Sequence, residues 1–127
     1  MLKILIVDDT KSVHAFVKNL LSKATGLETT SVFNGAEAVE LLKKNKNYDL
    51  ILLDWEMPIL NGPDTFSSLK SLGFQIPTIM MTTKNKPEEI EKMLMMGVSE
   101  YLMKPFTIDI LFEKIEFVTG VGFSYAA

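Results

Sequence analysis

Residues 49–54 read DLILLD, in which four consecutive branched apolar residues stand between two aspartates. The apolar run is continuous rather than alternating, which is typical of a β-strand with both faces covered. It is the most apolar of the strand-like runs in the chain. We therefore predict a central strand of a parallel sheet, with Asp54 at its carboxyl end.

On both sides of this strand, short apolar runs alternate with segments of helical periodicity. Further strands are predicted at residues 3–7, 28–33, 77–82 and 100–103. The first intervening segment has apolar residues at helical spacing, namely Val13, Phe16, Val17, Leu20 and Leu21. Five βα units in succession predict an α/β fold, with a doubly wound parallel sheet and helices on both faces.

Polar caps and prolines indicate where the predicted helices begin. Asn34, followed by Glu37, predicts the start of the second helix. Pro63 and Pro87 open the third and fourth helices, and Thr107 can cap the last one, which ends near residue 118. We therefore expect one domain at residues 1–118 and a short C-terminal tail at residues 119–127.

Length, composition and charge are those of a single globular domain. With 127 residues the chain can bury a core, and 47% apolar and 23% charged residues argue against disorder. The net charge of −3 gives no reason to expect nucleic acid as a partner. No run approaches the roughly 18 apolar residues of a membrane span, and the N-terminus lacks a signal-peptide pattern. The absence of cysteine excludes thiol chemistry, and we expect a cytoplasmic protein without membrane insertion.

Polar residues stand at the ends of four predicted strands. Asp8 and Asp9 follow the first strand, Asp54 ends the third, Thr82 ends the fourth, and Lys104 follows the fifth. Each has an ordinary structural explanation on its own, because aspartate favours caps and turns and lysine is usually solvated. Open parallel sheets, however, bind ligands beyond the carboxyl ends of their strands. The joint position of the five residues therefore favours a ligand site.

Three carboxylates, a hydroxyl and an ammonium at one edge suit the capture of a phosphoryl group. Carboxylates held close together raise one another's pKa, and a hard divalent cation relieves their repulsion. Mg2+ prefers a site with few carboxylates, several waters and a phosphate oxygen. One carboxylate can then attack phosphorus, while the cation, the lysine and the hydroxyl balance the charge of the phosphoryl oxygens.

Five short motifs follow one another along the chain: ILIVDD (residues 4–9), LILLDWEMP (50–58), NG (61–62), MTT (81–83) and YLMKPF (101–106). Together they resemble response-regulator receiver domains, most closely the stand-alone CheY-like type. The resemblance spans residues 1–118 and implies a flavodoxin-like (βα)5 fold with strand order 2-1-3-4-5. It also implies a phosphorylation-activated switch in a two-component pathway such as chemotaxis.

The resemblance implies a role for each acidic residue. Asp54 would be the phosphoacceptor. Asp9, Asp54 and the main-chain carbonyl of Glu56 would bind Mg2+ directly, with Mn2+ as a substitute, and Asp8 would act through a metal-bound water. The chemistry would be confined to self-phosphorylation and autodephosphorylation, so we do not expect an enzyme with an external substrate.

The resemblance also implies a switch and its partners. Thr82 would hydrogen-bond the phosphoryl group, and Lys104 would pair with a phosphoryl oxygen, with a cis peptide bond before Pro105. Thr82 would move inward and Tyr101 would follow into the vacated space. A histidine kinase or phosphotransfer protein would donate the phosphoryl group. A downstream protein would dock on the face formed by the fourth helix, fifth strand and fifth helix.

One pair of positions that varies within the family and one atypical residue carry further expectations. Glu56 and Lys84 lie two residues after Asp54 and Thr82, and we expect them to pair across the mouth of the site and gate phosphoryl loss. His14 is expected to be an exposed residue of the first helix.

The fourth helix is rich in methionine. Met93, Met95 and Met96 cannot all face inward, so at least one should be exposed. Exposed methionine suits the docking of a partner, because its side chain adapts to different surfaces.

Three other functions are compatible with parts of the sequence. A phosphatase with an aspartate nucleophile commonly needs an acid two residues later, where Glu56 stands, but no cap domain or substrate pocket is evident. A flavin carrier would need a phosphate loop rich in Ser, Thr and Gly, whereas Asp8 and Asp9 would repel the phosphate of FMN. A receiver that serves as an unphosphorylated scaffold would not need the residues that phosphorylation requires. This sequence has all of them, which argues against a scaffold.

Overall fold

The computed structural model describes residues 1–126 and contains five strands alternating with five helices. The strands are β1 (Leu2–Val7), β2 (Leu27–Val32), β3 (Leu50–Asp54), β4 (Thr78–Thr82) and β5 (Glu100–Met103). The helices are α1 (Lys11–Leu21), α2 (Gly35–Lys44), α3 (Gly62–Ser71), α4 (Pro87–Met95) and α5 (Ile108–Thr119). No helix in this part of the chain is long and apolar enough to cross a membrane.

The sheet is parallel throughout and has the order β2-β1-β3-β4-β5, which confirms the predicted fold class. β3 lies at the centre, and all five of its residues are buried. Successive side chains of a strand point to opposite faces. Leu50 and Leu52 accordingly pack with α1 and α5, while Ile51 and Leu53 pack with α2, α3 and α4. The continuous apolar run of the sequence thus serves two separate cores.

The helix starts follow the expected capping chemistry. Asn34 Oδ1 accepts a hydrogen bond from the Glu37 amide at 2.8 Å, and Glu37 in turn accepts one from the Phe33 amide. At α5, Thr107 Oγ1 accepts from the Ile110 amide at 3.3 Å. Both predicted caps are therefore confirmed.

Helix α1 departs from the sequence prediction at two positions. Its buried side is formed by His14, Val17 and Leu21. Phe16 is 44% exposed, and the centre of its ring lies 5.5 Å from that of Phe106. The expectation that His14 is exposed was wrong, since the residue is 4% exposed. Its burial is possible because one ring nitrogen finds a main-chain carbonyl and the ring packs on Phe33.

The residues that follow α5 fold back onto the domain. Phe123 and Tyr125 pack on Phe112, and the Tyr125 hydroxyl donates a hydrogen bond to Asp109 at 2.6 Å. Tyr125 also forms an antiparallel bridge with Ala24. The predicted tail at residues 119–127 therefore contributes aromatic side chains to one of the two cores; its last residue, 127, lies outside the described part of the chain.

Candidate functional site

The predicted site residues lie together at the carboxyl edge of the sheet. The strand register aligns the ends, because Asp54 pairs with Met81 and Thr82 pairs with Met103 across neighbouring strands. A cleft of about 180 Å³ opens there, room for several waters at about 30 Å³ each. Its walls are formed by Asp9, Thr10, Asp54, Trp55, Glu56, Thr82, Thr83 and Lys104.

Lys104 connects two buried carboxylates at the base of this cleft. Its Nζ donates to Asp54 Oδ1 at 2.9 Å and to Asp8 Oδ2 at 3.0 Å. Asp8 is fully buried and Asp54 is 6% exposed, so both charges need a partner within the protein. The backbone amide of Lys104 donates to the Thr82 carbonyl at 2.7 Å, and the peptide bond to Pro105 is cis.

The surroundings shift the pKa of two of these groups. Burial raises the pKa of Asp54 from 3.8 to about 6, and the charges of Asp8 and Asp9 add to the rise, against the lowering effect of the Lys104 hydrogen bond. Burial by itself would lower the pKa of Lys104, but its hydrogen bonds to Asp54 and Asp8 outweigh that effect and raise it. Lys104 therefore stays protonated, while the proton affinity of Asp54 is high for a carboxylate.

The three carboxylates form a cluster that is compatible with a divalent cation. One oxygen from each of Asp8, Asp9 and Asp54 lies within 4.8 Å of the other two. Mg2+ prefers oxygen ligands and is usually held by one or two carboxylates together with several waters. Both oxygens of Asp8 are already engaged, by the Thr10 amide and by Lys104. Asp9 is exposed, and its only hydrogen bond among residues 1–126 is a long one of 3.5 Å from the Thr10 hydroxyl, so its carboxylate is the most available of the three.

Comparison with known proteins agrees with this geometry. The family model of the response regulator receiver domain matches residues 4–116. The chain belongs to this family. CheY1, a chemotaxis protein of Helicobacter pylori, is 36% identical to this receiver over 123 residues, which cover 95% of this chain and 99% of that protein. The CheY homolog of Campylobacter jejuni is 34% identical over 123 residues, with coverage of 95% of both proteins.

Solved structures of receivers have the same fold. The receiver domain of a Francisella response regulator superposes with a TM-score of 0.85 at 32% identity, covering 94% of this chain and 98% of that one. CheY4 of Vibrio cholerae superposes with a TM-score of 0.83 at 28% identity, covering 93% of this chain and 98% of that one.

Thr82 lines the cleft of this receiver, and its hydroxyl already takes part in one hydrogen bond. The residue is 2% exposed, and its Oγ1 accepts a hydrogen bond from the Lys84 amide at 2.9 Å. Because the hydroxyl is an acceptor in this contact, its own hydrogen remains available for donation.

Tyr101 lies on β5 at the edge of the core. Its half-buried ring packs against the cluster that contains Val98, which is 5% exposed. The ammonium of Lys114 lies 4.5 Å from the ring centroid and pairs with Glu100 at 3.4 Å. The ring is therefore held between the core and a cation on α5.

Lys84 lies at the mouth of the cleft between two acidic side chains. Its Nζ is 3.6 Å from Glu56 Oε1 and 3.3 Å from Glu89 Oε2, and it lies 5.9 Å from the centre of the Trp55 ring. The Glu56 side chain is 73% exposed, whereas that of Glu89 is 31% exposed. Sequence reasoning missed Glu89, although an acid in the first turn of a helix that follows a site loop is a readable signal.

Proposed function

We propose that this receiver is a phosphorylation-activated switch of a two-component pathway, with Asp54 as the phosphoacceptor. One observation carries the proposal: the Lys104 ammonium lies 2.9 Å from Asp54 Oδ1, within a cluster of three carboxylates. A carboxylate with a fixed cation beside it can approach an anionic phosphoryl donor without the full cost of charge repulsion. The similarity to chemotaxis proteins favours chemotaxis as the pathway.

The reaction transfers one phosphoryl group between two side chains. A carboxylate oxygen of Asp54 forms a bond to phosphorus, and the bond from phosphorus to the histidine nitrogen of the donor breaks. The electron pair of that bond stays on the imidazole, which takes up a proton. We propose a histidine kinase or a phosphotransfer protein as the donor, in the cytoplasm.

Mg2+ is the proposed cofactor, with Mn2+ as a substitute. Asp9, Asp54 and the main-chain carbonyl of Glu56 would hold it directly, and Asp8 would act through a water, in agreement with the engagement of both Asp8 oxygens. The bound cation would supply positive charge opposite the phosphoryl oxygens. Lys104 would pair with one of those oxygens, and the Thr82 hydroxyl would donate a hydrogen bond to another.

The switch couples this site to a docking face. Thr82 would move toward the phosphoryl group, and Tyr101 would follow, so that the face of α4, β5 and α5 favours a different partner. Helix α4, which contributes to that face, carries exposed apolar side chains, with Met95 79% and Leu94 43% exposed, while Met93 is buried. The phosphoryl group can shift the population only as far as its interactions differ between the two arrangements. Phosphoryl loss would occur by autodephosphorylation within the receiver.

Acetyl phosphate provides the direct test, since it needs no partner protein. The purified chain, incubated with acetyl phosphate and Mg2+, should gain one phosphoryl group by intact-mass spectrometry, and Trp55 fluorescence should report the change in the adjacent site. Asp54→Asn should not be labelled, and chelation of the metal should abolish labelling of the parent. Asp49→Asn is the matched control, because Asp49 stands at the opposite end of the central strand. Equal labelling of Asp54→Asn would refute the assignment.

A further inference from the structure

The peptide bond between Asp8 and Asp9 lies just beyond the regular sheet. Val7 is the last residue of β1 and pairs with Val32 on one side and Leu53 on the other. The Asp8 amide still donates to the Val32 carbonyl, at 3.3 Å. The Asp8 carbonyl, in contrast, accepts a hydrogen bond from a side chain, His14 Nε2, at 2.7 Å. A residue of α1 thus takes the place of a strand partner.

This contact determines which ring nitrogen of His14 is the donor. A carbonyl oxygen can only accept, so Nε2 must carry the hydrogen. Nδ1 is buried and has no hydrogen-bond partner among the described residues, while the ring packs on Phe33 with a centroid distance of 4.4 Å. A buried polar atom without a partner costs stability, and an apolar ring would avoid this cost. Within the described part of the chain, the only hydrogen bond of the buried imidazole is therefore with the peptide that joins the two acidic residues.

The two aspartates depend on that peptide to different degrees. The Asp8 carboxylate is anchored on both sides, by the Thr10 amide at 2.9 Å and by Lys104 at 3.0 Å. Asp9 is exposed, and the hydrogen bond that it accepts from the Thr10 hydroxyl is long, at 3.5 Å. The direction of the Asp9 side chain is consequently set by the main chain, and rotation of the Asp8–Asp9 peptide would turn this carboxylate away from Asp54.

We infer that His14 is a positioning residue for the metal site. By holding the Asp8 carbonyl, it fixes the peptide plane so that the Asp9 carboxylate faces Asp54. The inference rests on the proposed function, because it assigns His14 a role in Mg2+ binding at the same site. It predicts that Mg2+ affinity depends on a hydrogen-bond donor at the position of Nε2, and not on the aromatic ring or on the burial of residue 14.

Three variants separate the donor from the ring. His14→Gln places an amide nitrogen near the position of Nε2, His14→Asn places one near Nδ1, and His14→Phe retains an aromatic ring beside Phe33 without a donor. The dissociation constant for Mg2+ is measured by Trp55 fluorescence at one fixed pH, and the melting temperature of the metal-free protein is measured separately. His14→Asn and His14→Phe should bind Mg2+ about tenfold more weakly, the lower range for loss of an outer-sphere hydrogen bond. His14→Gln should bind close to the parent value.

The outcomes distinguish the inference from the function it rests on. Equal Mg2+ affinity in all three variants, or an order of affinity that follows melting temperature instead of donor position, would overturn the role of His14. If His14→Phe fails to fold, the comparison of His14→Gln with His14→Asn decides the matter by itself. A parent protein that neither binds Mg2+ nor accepts phosphate would overturn the proposed function, and the role of His14 with it.

Discussion

Lys104 Nζ lies 2.9 Å from Asp54 Oδ1, although the two residues are 50 positions apart in the chain. The ammonium also reaches the fully buried Asp8, so the base of the site already holds one positive charge against two negative ones. This arrangement explains why the pKa of Asp54 rises only to about 6 despite burial and two neighbouring carboxylates. In the proposed phosphorylated state, the same ammonium would pair with a phosphoryl oxygen.

The first prediction concerns the pH dependence of stability in the absence of metal. Between pH 3.8 and about 6 the folded state holds a proton on Asp54 that the unfolded state has released. Asp54 therefore lowers the free energy of unfolding as the pH rises through this window, and acidification restores it. Relative to Asp54→Asn, the free energy of unfolding of the parent should fall by roughly 1–3 kcal/mol between pH 4 and pH 7. Urea unfolding of both proteins across this range is the measurement, and parallel pH profiles would contradict it.

The second prediction concerns Asp9, whose charge adds to the repulsion in the cluster. Asp9→Ala should raise the free energy of unfolding of the metal-free protein by about 0.5–1 kcal/mol, a small gain because the side chain is exposed. The same variant should lose the stabilisation that saturating Mg2+ confers on the parent. Thermal unfolding with and without Mg2+ gives both values. A metal-free variant that melts below the parent would count against repulsion within the cluster.

The third prediction concerns the lifetime of the phosphorylated state. The pairing of Lys84 with Glu56 should hinder the approach of water to the aspartyl phosphate, so Lys84→Ala should shorten the lifetime. An exposed pair is worth up to about 1 kcal/mol, which limits the change to roughly fivefold. High salt should also shorten the lifetime in the parent, because it screens the pair.

Glu89 provides the control for this idea, because it competes for the same ammonium at 3.3 Å. Glu56→Gln should shorten the lifetime of the phosphorylated state, because it removes the pairing across the cleft. Glu89→Gln should lengthen that lifetime, because Lys84 would then pair with Glu56 alone. The measurement is the decay of the phosphorylated protein after removal of the donor. An unchanged or longer lifetime in Lys84→Ala would eliminate the gate and leave the receiver assignment intact.

The fourth prediction concerns Ile59, in the loop between β3 and α3. Its φ is 70°, and the Leu60 amide donates to the Pro58 carbonyl at 2.7 Å, so a β-branched residue occupies the centre of a tight turn with positive φ. The side chain is 82% exposed and contributes little burial. Ile59→Gly should therefore raise the free energy of unfolding by about 1 kcal/mol. Ile59→Val retains the strain and should match the parent; equal stability of all three proteins would show that the turn is unstrained.

Much of the fold could be predicted because its signals are local. The continuous apolar run of β3 and the caps at Asn34 and Thr107 depend only on neighbours in sequence, and each was confirmed. The parallel arrangement then follows from the alternation of strands and helices. The strand order came from the resemblance to receivers, since no local pattern states which strands are neighbours.

The sequence by itself determined that Asp8, Asp9, Asp54, Thr82 and Lys104 stand at strand ends, and a parallel sheet brings such ends to one edge. Only the tertiary structure decided how they pair there. Lys104 and Asp8 are 96 positions apart, and they follow β5 and β1, which are separated in the sheet by β3 and β4. His14 was misjudged for a different reason. It stands three and seven residues before Val17 and Leu21, so helical periodicity places it on the buried side of α1, but its polar ring was taken as a sign of exposure. Only the structure shows the Asp8 carbonyl that makes burial of the ring possible. Hydrogen-bond partners that are distant in sequence are selected by packing, so composition and spacing can indicate the edge of the sheet but not the bonds made across it.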